Sequence, residues 1–174
     1  QRFELGMNNK WSYQYAWAKG HKIGIIGSSD NHTGLPGLNN FSTSAVHAGG
    51  LAVVITEKNN RENIWDAFQN RRTYATTGTR IYLDFTCDGH QMGSEYTTDQ
   101  SPLISVKAAG TNKIELIELI KFDGKAYETI FTVKPEDRTS EFQFKDKNFS
   151  KDSMYYIRLK QVDEIWRSNW SYGN

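Results

Sequence analysis

The 174 residues carry 21 Lys+Arg against 20 Asp+Glu, a net charge of +1, so the broad basic surface of a nucleic-acid binder is not expected. The single cysteine, Cys87, excludes an internal disulfide framework, and no apolar run approaches the roughly 20 residues of a membrane span. The length fits one ordinary domain or two small ones. The charge is uneven: residues 1–80 hold 9 Lys/Arg and 5 Asp/Glu, residues 81–174 hold 12 and 15, and all four histidines lie in the first ninety residues, which points to two units with any chemistry in the first.

In chain order, Trp11–Lys19 fits a short helix with its aromatic side packed inward. The apolar run Ile23–Ile26 ends in Gly27-Ser28-Ser29, and Asp30 and His32 follow. This reads as a buried strand delivering a carboxylate and an imidazole to a loop at its C-terminal end. A hard oxygen donor and a borderline nitrogen donor two residues apart suit a divalent transition metal. Two ligands are too few for such a site, so the remainder is expected elsewhere. The loop that follows, to about Ser44, is long and unpatterned, as functional loops often are. His47 could approach the same strand-end face, although a solvated loop residue is the simpler account. His21, at the strand's opposite end, reads as structural. Leu51–Ile55, after Gly49-Gly50, is a second continuous apolar run suited to a buried parallel strand. Asn59 or Asn60 can cap the next helix, and Glu62 adds first-turn charge. Ile64, Trp65 and Phe68 form its expected apolar side, with Arg71-Arg72 at its C-terminal end. Thr76-Thr77-Gly78 offers hydroxyls and backbone to an anion, and Arg80 could clamp a phosphate through two nitrogens. The same segment equally suits an interdomain junction, with Gly78 serving the backbone.

From about Arg80 the pattern changes to period two. Tyr82/Asp84 alternate with Leu83/Phe85, Ile104/Val106/Ala108 with Ser105/Lys107, and Tyr155/Ile157/Leu159 with Tyr156/Arg158/Lys160. Asp88-Gly89 and Asp123-Gly124 are hairpin signals. About seven short strands over about 90 residues predict an antiparallel β-sandwich. At this spacing Tyr155, Tyr156, Trp166 and Trp170 fit core and cross-strand packing better than a sugar-binding platform. His90 falls in a hairpin and is expected to be exposed. Cys87 lies in a strand without a paired base, so no thiol nucleophile is assigned. The join at Thr79-Arg80 looks tight.

Several of these segments together resemble the PHP (polymerase and histidinol phosphatase) superfamily of metal-dependent phosphoesterases, in particular its large branch with a C-terminal domain of unknown function. Gly24–Gly34 is similar to that family's last metal-binding motif. Gly49–Val53 with Arg61–Asn70 is similar to its final strand and helix. Arg71–Ile81, Leu83-Asp84-Phe85, Met92-Gly93-Ser94 and Trp166–Trp170 resemble further segments in the same order. The resemblance implies that Asp30 and His32 are metal ligands, that divalent ions (Mn, Zn or Fe) serve the full-length protein, and that metal-activated water attacks a phosphorylated small-molecule substrate. The family's other ligands, an early His-x-His pair, an acidic residue and further histidines, have no counterpart here. The chain is therefore expected to be the C-terminal part of a longer enzyme and inactive alone.

The expected fold is α+β: residues 1–80 as the last strand and helix elements of an incomplete PHP-type β/α barrel, and residues 81–174 as an Ig-like antiparallel β-sandwich. Thr77 and Arg80 are the substrate-proximal candidates. Exposed barrel edges predict self-association, or partial disorder of residues 27–48. The competing expectation is a non-catalytic sandwich that binds or scaffolds a polysaccharide or protein partner.

Overall fold

The structure, a computed structural model, describes residues 10, 12–29, 34, 49–149 and 152–162. It is mixed but mostly antiparallel β, with two short helices among the described residues, an α+β arrangement. Helix α1 (Tyr13–Ala18) is opened by Ser12, whose hydroxyl accepts the Tyr15 N–H at 3.1 Å. Its expected inward packing is partial. Trp17 lies 5.4 Å from the Tyr156 ring, while Tyr13 stays exposed.

Strand β1 (Leu51–Val54) and β2 (Thr73–Thr76) pair with each other antiparallel, Leu51 opposite Thr76 and Val54 opposite Thr73. The expected parallel, buried β1 is thus corrected: helix α2 (Arg61–Gln69) returns the chain so that β2 pairs antiparallel with β1, and β1 is half-buried to exposed. Asn60 caps α2 by accepting the Asn63 N–H at 2.9 Å, and Glu62 occupies the first turn. The buried residue of α2 is Ala67. Of the expected apolar side, Ile64 is half-buried, whereas Trp65, 64% exposed, and Phe68 are exposed, so the packed stripe is displaced from the expected one. The stripe that packs runs through Asn63/Ile64 and Ala67, at helical spacing.

The expected strand at Ile23–Ile26 is also corrected. Residues 21–29 form no strand ladder, and Ile23 and Ile26 are exposed. They lie outside any sheet among the described residues, so no strand covers them on either side.

The remaining strands are β3 (Tyr82–Cys87), β4 (His90–Gln91), β5 (Leu103–Ala109), β6 (Ile114–Phe122), β7 (Tyr127–Val133), β8 (Thr139–Lys145) and β9 (Met154–Gln161). They form two antiparallel sheets, ordered β4-β3-β5-β8 and β7-β6-β9. The inward residues of β3 and β5 are those the period-two pattern selects, Leu83 and Phe85, and Ile104, Val106 and Ala108; Ile117 and Leu119 of β6 join them, with Ile157 and Leu159 packed against them. Phe131 of β7 stacks on Phe144 of β8 at 4.8 Å and closes one side between the sheets. Asp88-Gly89 turns β3 into β4 with both residues at positive φ, and Gly124 at φ 89 turns β6 into β7. The junction is tight as expected. Tyr74 Oη donates to Ile81 O at 2.8 Å and accepts the Leu83 N–H at 3.0 Å, tying β2 to the first sandwich strand.

Candidate functional site

Asp30, His32 and His47 lie outside the described residues, as does most of the 27–48 segment expected to be partly disordered. The chain leading to Asp30 is described. It runs across the β1–β2 ribbon from the Arg71–Thr73 end to the Leu51–Thr76 end. At Gly27 the backbones come so close that a Cβ would stand 2.6 Å from Leu51 O, which only glycine permits. One residue on, Ser28 O accepts the Gly50 N–H at 2.9 Å. A Cβ at Gly50 would be 3.2 Å from Thr76 O. Ser28, Gly50 and Thr76 therefore meet at one end of the ribbon, and Thr77 is the next residue.

Beyond β2, Thr76 Oγ1 accepts the Gly78 N–H at 3.3 Å, and Gly78 takes φ 106, a conformation that favours glycine. The backbone role expected of Gly78 is thus seen. Thr77 and Arg80 are exposed. Among the described residues, no cluster of three or more His, Cys, Asp or Glu side chains could hold a metal ion. The two candidate donors, a carboxylate and an imidazole, suit a divalent transition metal by chemistry but fall short in number.

Arg71-Arg72 are more than helix C-terminal charges. Arg71 follows α2 in the left-handed region, φ 58. Its Nε and Nη2 both donate to Gly93 O, at 3.2 and 2.9 Å, and Nη2 also donates to Glu95 Oε1 at 2.7 Å. Lys22 pairs with the other carboxylate oxygen, Oε2. Hydrogen bonding by Lys22, and the charges of Lys22 and Arg71, hold the Glu95 carboxyl below the usual carboxylate range. Gly93 takes φ 88 where a Cβ would meet Asn70 O at 2.2 Å. Arg72 pairs with Asp66. Two segments that stand apart in sequence, at Asn70-Arg71 and from Gly93 to Glu95, are therefore the two halves of one interlock.

A second polar cluster was not anticipated. Lys121 Nζ donates to Asp146 Oδ2 and to Asn148 O, both at 2.7 Å, and Tyr155 Oη donates to the same Asp146 oxygen at 2.7 Å. Lys121 and Asp146 are buried. Burial alone would raise the Asp146 carboxyl, but its hydrogen bonds from Lys121, Tyr155 and the Asn148 N–H outweigh this and lower it. The sequence signal was available: Lys121 continues the inward parity of Ile117 and Leu119, where a lone lysine needs a buried partner. Cys87 is half-buried, and burial pushes its thiol up. His90 is exposed and stacks on Tyr96 at 4.3 Å. Tyr155 packs against the core, and Trp166 and Trp170 lie outside the described residues.

The fold and the interlock define a two-part α+β chain: a small ribbon–helix unit clamped to an antiparallel β-sandwich. A family described as "Protein of unknown function (DUF3604)" matches residues 37–112, a span that crosses the junction and includes Arg71, Gly93 and Glu95 but begins after Asp30 and His32. An uncharacterized protein of Chlamydia muridarum (strain MoPn / Nigg) is 32% identical over 133 residues, covering 66% of this chain and 21% of that protein. An uncharacterized protein of Chlamydia pneumoniae is 30% identical over 147 residues, covering 73% and 23%. One of Chlamydia trachomatis serovar D is 31% identical over 133 residues, covering 66% and 21%. The chain spans about a fifth of the length of the curated relatives it matches. No solved structure matches it. No helix among the described residues is long and apolar enough to cross a membrane.

Proposed function

We propose that this chain is the C-terminal part of a PHP-like, metal-dependent phosphoesterase, and that Asp30 and His32 are two of its metal ligands. The observation that carries the reading is the pinning of Gly27-Ser28 at the Leu51–Thr76 end of the ribbon, because Asp30 follows two residues after Ser28 and Thr77 directly follows Thr76. The greater length of the relatives supports a parent protein that supplies the remaining ligands. Asp30 would give a charged oxygen, and His32 a neutral nitrogen whose other ring nitrogen needs an acceptor to fix its tautomer. A divalent cation, when bound, lowers the pKa of water and neutralises phosphate oxygens. Thr77 would offer its hydroxyl to the substrate phosphate, and Arg80 a planar pair of N–H donors. The isolated chain is inactive on this reading.

A second reading has its own observation. The Arg71–Gly93–Glu95 interlock ties the ribbon to the sandwich, which suits a sandwich acting as a scaffold for a neighbouring domain rather than as a catalytic part.

Elemental analysis decides between the two readings when it is made on this chain and its longer parent, each beside an Asp30→Ala/His32→Ala version. The phosphoesterase reading expects near-stoichiometric Mn, Fe or Zn in the parent, lost in the double variant together with hydrolysis of an aryl phosphate. A parent whose metal content is unaffected by the double substitution would sink it and leave the scaffold.

A further inference from the structure

One flank of the sandwich is only partly closed. Strands β7 and β8 are each paired on one side among the described residues, and both border this flank. Where Phe131 stacks on Phe144 the gap between the sheets is filled. Beside that stack the flank opens into a cleft of about 440 Å3, between residues 128–130 of β7 and residues 144–148 at the end of β8. Small-molecule sites commonly enclose roughly 300–1,000 Å3. Lys121 and Asp146, only 6% and 3% exposed, form part of its lining. Replacing such a buried pair by apolar residues of similar volume often costs no stability, so the fold alone does not account for a charged pair at this place.

The hydrogen bonds of the pair define what the cleft can recognise. Lys121 Nζ carries three N–H donors, and among the described residues two are taken, by Asp146 Oδ2 and Asn148 O, both at 2.7 Å. Asp146 Oδ2 also accepts the Tyr155 hydroxyl, whereas Oδ1 accepts the Asn148 N–H at 2.9 Å and has capacity for another donor. One donor and one acceptor therefore remain in the lining. A hydroxyl group answers both at once, since its oxygen accepts and its hydrogen donates; a carboxylate only accepts and an ammonium only donates. The charges agree. Lys121, Lys145 and Lys147 stand against Asp123, Glu128 and Asp146, a balance of zero that suits a neutral ligand rather than an ion. Ile130 and Phe144 add an apolar wall. A pyranose ring combines all three demands: neutral, rich in hydroxyls, and apolar on its C–H face.

We infer that the cleft between β7 and β8 is a binding site for a neutral sugar, with Lys121 and Asp146 sharing one of its hydroxyls and Ile130 and Phe144 lying against its C–H face. All of these residues belong to the sandwich, so the inference is independent of the metal reading. Water occupies such a cleft in the absence of a ligand, and a sugar gains by displacing it only where its hydroxyls reproduce the bonds the water made. Shape and spacing of hydroxyls therefore decide, which an acyclic polyol does not match.

The experiment is an NMR titration of the amides of this chain with D-glucose, D-galactose and N-acetyl-D-glucosamine, beside glycerol and inorganic phosphate. The expected result is saturable shifts with at least one of the three sugars, a Kd on the order of 1 mM, and shifts confined to residues 128–130 and 145–148. Lys121→Met/Asp146→Leu, whose own spectrum reports that it is folded, should weaken that binding about tenfold or more. The absence of saturable shifts with all three sugars overturns the inference. Equal response to glycerol shows a water-filled cleft without selectivity, and saturation by phosphate shows an anion site; either overturns it too. Shifts that map elsewhere on the sandwich, or a folded double variant that binds as the wild type does, also sink it. Where the double variant does not fold, the map on the wild type decides alone.

Discussion

The two units reach order by different routes. The sandwich has a core of its own. Ile104, Val106, Ile114, Ile117 and Leu119 are fully buried between its sheets, and of its large hydrophobics only Tyr82 and Leu103 are notably exposed among the described residues. In the ribbon–helix unit Ala67 is the buried hydrophobic among the described residues, while Tyr13, Ile23, Ile26, Trp65 and Phe68 face outward. Four-residue strands and a nine-residue helix cannot bury enough apolar area to offset their own ordering. The ribbon unit is held instead by specific polar contacts: the Arg71 fork, the bridging Glu95 and the Tyr74 hydroxyl. The part proposed to carry chemistry is thus the part whose described residues show no core of their own, which is where low local stability is ordinarily found.

The sharpest way to weaken the stable side of this comparison is at Asp146. Asp146→Ala strands the Lys121 ammonium in a buried site and should cost about 3–5 kcal/mol in urea unfolding, the usual penalty for removing one partner of a buried pair. Replacing both, as Lys121→Met with Asp146→Leu, should recover most of this, because an apolar pair of similar volume fits that environment. The pH dependence follows from the lowered Asp146 carboxyl. Its folded value lies below its unfolded one, so its contribution is complete above the unfolded value of about 3.9 and is lost as pH falls through the folded value. Unfolding midpoints between pH 6 and pH 2 should therefore drop in the wild type more steeply than in Asp146→Ala. Parallel curves would show that the pair is not ionised in the folded protein.

A smaller effect is expected at the seam between the units. Gly93→Ala places a methyl group at φ 88, against the Asn70 carbonyl and the Arg71 backbone. The strain should cost about 1–3 kcal/mol and should act on the interlock rather than on the sandwich. Limited proteolysis is then expected to cut first between Val54 and Thr73, with the sandwich strands still protected. Uniform loss of protection across both units would mean that they unfold together and that the contrast drawn above is false.

What was legible in the sequence follows the same division. Period-two alternation identified the inward residues of β3, β5 and β9, because a sandwich buries one face of each strand and a strand's side chains alternate strictly. The α2 cap, narrowed to Asn59 or Asn60, and the Gly78 and Gly124 turns were legible because each is a local backbone requirement. The ribbon was misread. Leu51–Ile55 is apolar throughout, a pattern shared by buried parallel strands and by short hairpin strands, and nothing local separates the two. Trp65 and Phe68 were assigned inward on hydrophobicity, whereas α2 meets the ribbon through Ala67, the residue small enough for close approach. Glu95 could not be read at all, because its meaning depends on Lys22 and Arg71, which lie 73 and 24 positions away.

The smallest predicted effect concerns Trp65. In this chain its side chain is 64% exposed, so Trp65→Ala should change stability by no more than about 0.5 kcal/mol. An exposed tryptophan beside Phe68 is nonetheless an unusual expense of apolar surface on an otherwise polar helix, and such patches mark contacts with other surfaces. If α2 meets further parts of a longer parent, as the proposed function requires, the same substitution in the parent should cost about 3–5 kcal/mol, the range for a tryptophan truncated in a packed core. If α2 faces water there too, the two values should agree. In this chain alone, self-association through the same face would show as a sedimentation coefficient that rises with concentration and stops rising in Trp65→Ala. A large cost in the isolated chain would place Trp65 in a core that the described residues of the ribbon unit do not show, and the division between a self-sufficient sandwich and a dependent ribbon would have to be redrawn.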